Sequence, residues 1–132
     1  MSIILSIKPK WAQKIFSGEK TIEWRKTRPS MLIPREKIYI YETAPISQVT
    51  GYFVMAGIIN FHGRDWTKPS KQMQKCIDAG RVPAQDLIAY QGTGDFLCAW
   101  GVEKVVKFEG PKSLEEFNIR RPPQSWCYTE ER

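Results

Sequence analysis

Histidine is almost missing from this chain of 132 residues: His62 stands alone. The three cysteines, Cys76, Cys98 and Cys127, are far apart and form no Cys-x-x-Cys pair. A zinc site needs several close donors of these types, so no metal is expected, and no cofactor. An odd number of scattered cysteines also argues against a disulfide framework and for a reducing, cytoplasmic setting. No apolar run is long enough to span a bilayer, so no membrane partner is expected. Residues 1–7 are apolar but stop at Lys8 without a cleavage signal, and so read as a strand and not a signal peptide. There is no Gly-rich phosphate loop, no nucleophile elbow and no pair of histidines, which removes the commonest catalytic signatures.

What is present is ordinary in amount and uneven in placement. Hydrophobic residues make up 42% and charged residues 26%, the balance of a folded globular chain. The length suits one domain over 1–132. Net charge is +6, and residues 1–37 hold nine Lys/Arg against three Glu. Residues 38–132 hold eleven of each sign, so the whole excess lies in the first segment. Basicity gathered around one element points to an anionic ligand, most often phosphate. The plainer reading is a solvated basic surface.

That first segment is built around Gly18-Glu19-Lys20-Thr21-Ile22-Glu23-Trp24-Arg25. A strand over 3–7 precedes it, then a helix over 9–17 with Pro9 at its first position, where a missing N–H costs nothing. Ala12, Ile15 and Phe16 form the helix's inner stripe, and Gly18 stops it by accepting positive φ. Thr21 to Arg25 reads as a strand. Alternation sets Ile22 and Trp24 toward a core and Thr21, Glu23 and Arg25 on the other face, with Lys20 at its mouth. Such a strand suits the floor of a cleft.

Further along, strands are expected at Lys37–Thr43, at Gly51–Phe61 (apolar on both faces, hence central) and at Phe96–Phe108, with Gly101 a candidate bulge or bend. Helices are expected at Pro69–Ala79 and Pro83–Tyr90, a helical excursion around 64–92. The first packs through Met73, Cys76 and Ile77, the second through Leu87, Ile88 and Tyr90. Lys68, Lys71 and Lys75 share a polar side that reads as a solvated face. Ser113-Leu114-Glu115-Glu116 is a capping box for a short helix. Residues 119–126 form a Pro-containing tail ending near a strand.

The pattern Gly-x-Lys-x-x-Glu-x-Arg, preceded by Ile4-Leu5-Ser6-Ile7-Lys8-Pro9 and a short helix, resembles the ASCH domain family of the PUA-like β-barrels. Ile38-Tyr39-Ile40-Tyr41, Gly51, Ala99-Trp100-Gly101-Val102 and Pro122-Pro123-Gln124-Ser125-Trp126 extend the likeness over most of the chain. It implies an α+β fold, a small mixed β-barrel with a helix after the first strand. It also implies binding of RNA, single-stranded nucleic acid or a nucleotide, while a few members of the family are hydrolases or ribonucleases. Amidohydrolase relatives place a nucleophilic threonine three residues after the lysine. Here that position is Glu23, a departure that argues against amidohydrolase activity.

The expected ligand-binding set is Lys8, Lys20, Glu23, Arg25 and Tyr41, with Ser125 and Trp126 joining from the tail by resemblance. Cations meet phosphates and flat rings meet bases. Lys20 is expected to reach inward on its long stem while its ammonium stays hydrated, so that its loss leaves stability unchanged. Binding without catalysis is favoured. A small hydrolase using Lys20 and Glu23, either a ribonuclease or a nucleoside amidohydrolase, and a protein-interaction module are the alternatives.

Overall fold

A computed structural model describes residues 2–31, 35–63, 66 and 68–130. Among these, the elements run β1 (Ser2–Ile7), α1 (Pro9–Phe16), β2 (Ile22–Arg25), β3 (Lys37–Glu42), β4 (Gln48–His62), α2 (Lys71–Gly80), α3 (Ala84–Gln91), β5 (Phe96–Lys112), a 3-10 turn (Leu114–Phe117) and β6 (Trp126–Thr129). Parts of the loop after β2 and the first residues of the expected excursion lie outside the described residues. Among those described, no helix is long and apolar enough to cross a membrane.

The six strands form one mixed sheet in the order β2-β5-β4-β3-β1-β6. Only β1 and β3 pair in parallel; the other neighbours are antiparallel. β4 is central, as its two apolar faces imply. The expectation of a barrel needs correcting, because the sheet is not closed. Its edge strands β2 and β6 have four residues each and share no ladder. The sheet still curls, so that Arg25 on β2 donates to the backbone oxygen of Ser6 on β1. Charged side chains occupy the seam where a barrel would zip its backbones together.

Three clusters hold the fold. Ile3, Leu5, Ile7, Ile38, Ile40, Phe53 and Trp100 pack under Ala12 and Ile15 of α1. On the other parity of the same strands, Ile4, Tyr39, Tyr41 and Val49 meet Phe117. Trp24, Phe61, Trp66, Leu87 and Leu97 join Cys76 and Ile77 of α2 in the third. This alternation is what β-strands with two covered faces require.

Local chemistry fixes the element ends. Gly18 takes φ +86° and its N–H donates to Ile15, ending α1 before the motif begins. Ser70 caps α2 by accepting from the Met73 N–H. Gly101 is not the bulge itself: the register of β4 shifts between Met55 and Gly57, and Gly101 lies opposite. A Cβ on Gly101 would meet Ala56 at 3.0 Å, so the bulged strand needs glycine facing it. The expected inner face of α3 is also corrected. Leu87 and Gln91, four apart, are buried, whereas Ile88 and Tyr90 are exposed. Gln91 earns that place through hydrogen bonds to the Trp66 indole and to the carbonyls of Gly63 and Gly94.

Candidate nucleic-acid interface

The motif turn delivers a buried lysine beside a buried carboxylate. Lys20 is 1% exposed and Glu23 6%. The Lys20 Nζ lies 3.3 Å from Glu23 Oε1 and donates to the carbonyl of Gly80 at the end of α2. Arg25, two residues along β2, donates through Nε and a terminal nitrogen to Glu23 Oε2, at 2.9 and 2.6 Å. Its remaining contacts are the Ser6 carbonyl at 2.8 Å and the Ser125 hydroxyl at 3.2 Å. Ser6 in turn donates its hydroxyl to the Pro123 carbonyl. One carboxylate therefore holds two cations, and the tail is tied to the seam through Arg25 and Ser6.

Burial lowers the Lys20 pKa from its ordinary 10.5, against the raising effect of the Glu23 charge and hydrogen bond, and Arg25 lowers it further. The expected hydrated ammonium is thus a buried one. The stem does reach inward, but α2 closes over it. The turn before β2 is bound to the end of α2 by further bonds: the Thr21 N–H donates to Ala79, and Arg81 Nε donates to the Glu19 carbonyl. Gly80 lets the helix come this close, since a Cβ there would sit 2.6 Å from the Trp24 indole nitrogen.

Above this group lies a cleft of about 460 Å³. Ser6, Ile7, Lys8 and Trp11 form one wall, and Val82, Asp86, Leu87 and Tyr90 the other. Lys20, Glu23, Trp24 and Arg25 make the floor, with Thr43 and Gln124 completing the lining. Cations flank the aromatic walls: Lys10 and Lys20 Nζ stand 4.8 and 5.3 Å from the Trp11 ring centre, and Lys26 Nζ 4.9 Å from that of Tyr90. Although Tyr90 as a whole is 38% exposed, partial burial raises the pKa of its phenol, so it stays a neutral hydrogen-bonding group. Among the described residues, no three His, Cys, Asp or Glu side chains gather as metal ligands.

The ASCH domain family model matches residues 5–129. The chain belongs to the ASCH domain family. Curated relatives of this ASCH domain are mostly much longer proteins. A large ribosomal subunit protein of Ureaplasma parvum is 30% identical over 129 residues, 96% of this chain but 39% of that protein. The ATP synthase subunit alpha of the same species is 27% identical over 128 residues, 96% of this chain and 15% of that protein. An ASCH domain-containing ribonuclease of Zymomonas mobilis is 34% identical over 56 residues, 42% of this chain and 37% of that protein. The chain thus spans well under two thirds of the relatives it matches. The crystal structure of ASCH from Zymomonas mobilis superposes with a TM-score of 0.80 at 20% identity, covering 98% of this chain and 96% of that one. That likeness establishes the fold.

The ASCH domain gathers Lys8, Lys20, Glu23 and Arg25 around one cleft, with Ser125 bonded to Arg25 behind it. It does not bring Tyr41 there. Tyr41 is 5% exposed and packs with Ile4, Val49 and Phe117, because its parity on β3 is opposite to that of Ile40. Trp126 also stands outside the lining; its indole donates to the Thr27 hydroxyl and its ring packs on Trp100 and Tyr128. The exposed Lys68, Lys71 and Lys75 lie away from the cleft. Sequence reasoning missed the whole α3 wall. The only available signal was Asp86 and Tyr90 at i, i+4 spacing, which puts them on one helix face.

Proposed function

We propose that this ASCH domain binds RNA or a nucleotide in the cleft above Lys20, Glu23 and Arg25. The observation that carries the reading is a buried, hydrogen-bonded Lys–Glu–Arg group under a cleft walled by Trp11 and Tyr90. Burying Lys20 and Glu23, and partly burying Arg25, costs several kcal/mol before their pairing offsets it, and hydrophobic replacements commonly do as well for stability. Such a group on a cleft floor is a mark of function more than of folding. The cleft's size falls within the usual range for ligand sites, about 300–1,000 Å³. Aromatic walls suit bases, and the exposed Lys8, Lys10, Lys26 and Arg28 suit phosphates. The Zymomonas ribonuclease and the ribosomal protein among the relatives point the same way.

A second reading has an observation of its own. The lowered pKa of Lys20, 3.3 Å from Glu23, makes a neutral amine more accessible than in a free lysine. That suits a general base in a ribonuclease. Hydrolysis of acylated cytidine is not expected, since Glu23 stands where amidohydrolase relatives carry the nucleophilic threonine.

Titrating single-stranded RNA and mononucleotides into the protein, with product analysis, tests both readings. Saturable binding without turnover supports the first. Turnover that Lys20→Arg abolishes while binding persists supports the second. Binding to neither class of ligand removes the cleft from consideration.

A further inference from the structure

The two rings that wall the cleft are already engaged by ammonium groups. Lys10 Nζ stands 4.8 Å and Lys20 Nζ 5.3 Å from the Trp11 ring centre, and Lys26 Nζ stands 4.9 Å from that of Tyr90. Lys20 belongs to the floor, whereas Lys10 and Lys26 are exposed and lie outside the lining. An aromatic face attracts a cation through the negative lobe of its quadrupole. An ammonium held on the ring draws on that same π density, and it repels a second cation directly. An aromatic cage for a positively charged group needs rings free of such partners. Trp11 and Tyr90 still offer flat apolar area to a neutral ring.

The charges around the cleft act in the same direction. Lys8, Lys20 and Arg25 line it with Glu23 and Asp86, and Lys10 and Lys26 stand on its rings, an excess of three positive charges. Glu23 is engaged by both Lys20 and Arg25. Asp86 is the other lining carboxylate, and it lies one turn of α3 from the ring that carries Lys26. We propose that Lys10 and Lys26 are specificity-determining residues, which make the cleft accept a nucleotide with a neutral base and reject one whose base is positively charged, such as a base methylated on a ring nitrogen to a cation. The proposal rests on the nucleotide-binding reading above. It makes the selection one of charge and not of size.

The same lysines also suit phosphates, and the two roles are separable. A lysine that only meets phosphate weakens every nucleotide by the same factor when it is removed. A lysine on the ring changes the ratio between a cationic base and a neutral base of the same shape. Two matched pairs of 5′-monophosphates provide that ratio at mildly acidic pH. The purine pair is 7-methylguanosine, which is cationic, and 7-methyl-7-deazaguanosine, which is neutral. The pyrimidine pair is 3-methylcytidine, which is cationic, and 3-methyluridine, which is neutral. Each is titrated into the wild type, the double variant Lys10→Gln/Lys26→Gln, and Lys10→Arg/Lys26→Arg, which keeps both charges. The wild type is expected to bind the neutral member of a pair about tenfold tighter, the scale of one or two ring–cation contacts. The glutamine variant should narrow that ratio to about threefold or less, and the arginine variant should keep it. A cationic member bound as tightly as its neutral partner by the wild type, or a ratio unchanged in the glutamine variant, overturns the inference while leaving nucleotide binding intact. Binding of none of the four overturns both.

Discussion

The floor and the rim of the cleft use the same residue types for opposite purposes. On the floor, Lys20 and Glu23 are buried, Arg25 is partly buried, and the three satisfy one another. At the rim, Lys8 and Asp86 have no side-chain hydrogen bond or ion pair among the described residues. The floor fixes the shape of the site because each member is held by the others and by α2, β1 and the tail. The rim leaves charge available to a ligand. Local charge density alone cannot separate the two roles; the partners of each side chain do.

Breaking the floor should cost most. Glu23→Gln leaves Lys20 and Arg25 buried without a counter-charge, and a loss of about 3–5 kcal/mol is expected from chemical denaturation. Lys8→Ala, at the rim, should stay within about 0.5 kcal/mol of the wild type. Equal losses in the two variants would erase the distinction. Gly80→Ala should come next, at about 1–3 kcal/mol, because its methyl would press on an indole already packed against Phe61 and Trp66. An unchanged denaturation midpoint there would mean that α2 is free to shift away from the motif.

The rim should dominate in binding. Lys8→Ala should weaken single-stranded RNA affinity by about 1 kcal/mol and flatten the log-affinity against log-salt slope by about one unit. Lys71→Ala, whose side chain lies away from the cleft, should alter neither. Matching losses in the two variants would return the basic residues to a diffuse surface.

The smallest expected effect is one of pH. The folded protein holds the Lys20 pKa below 10.5, so between the two values the unfolded chain binds more protons. Stability contributed by this site therefore rises with pH across that alkaline window and levels off above 10.5. Lys20→Met should lack the rise when melting temperature is followed against pH. A rise of the same size in the variant would assign it to another group.

Much of this was legible in the sequence because strand parity and turn chemistry are local. Pro9, Gly18 and the alternation from Ile22 to Arg25 place the motif's helix, turn and strand where the structure has them. The burial of Lys20 was not legible, since it depends on the Gly80 carbonyl sixty positions away. The place of Tyr41 was not legible, because β3 is separated from β2 by β4 and β5 in the sheet and its parity sets Tyr41 against Ile40, toward Phe117. The open seam escaped notice because strand order says nothing of edge length. The α3 wall escaped because Ile88 and Tyr90 looked like core residues at helical spacing, while the polar Gln91 takes a core position through its hydrogen bonds.

Five tryptophans give a direct test of whether the cleft receives the ligand. Trp11 and Trp24 line it, Trp66 donates to Gln91, and Trp100 and Trp126 donate to Thr27. In an NMR titration with a short single-stranded RNA or a mononucleotide, the indole N–H signal of Trp11 should move most and that of Trp24 next, with the other three nearly still. Movement centred on Trp126 or Trp100 while Trp11 stays fixed would contradict binding in the cleft.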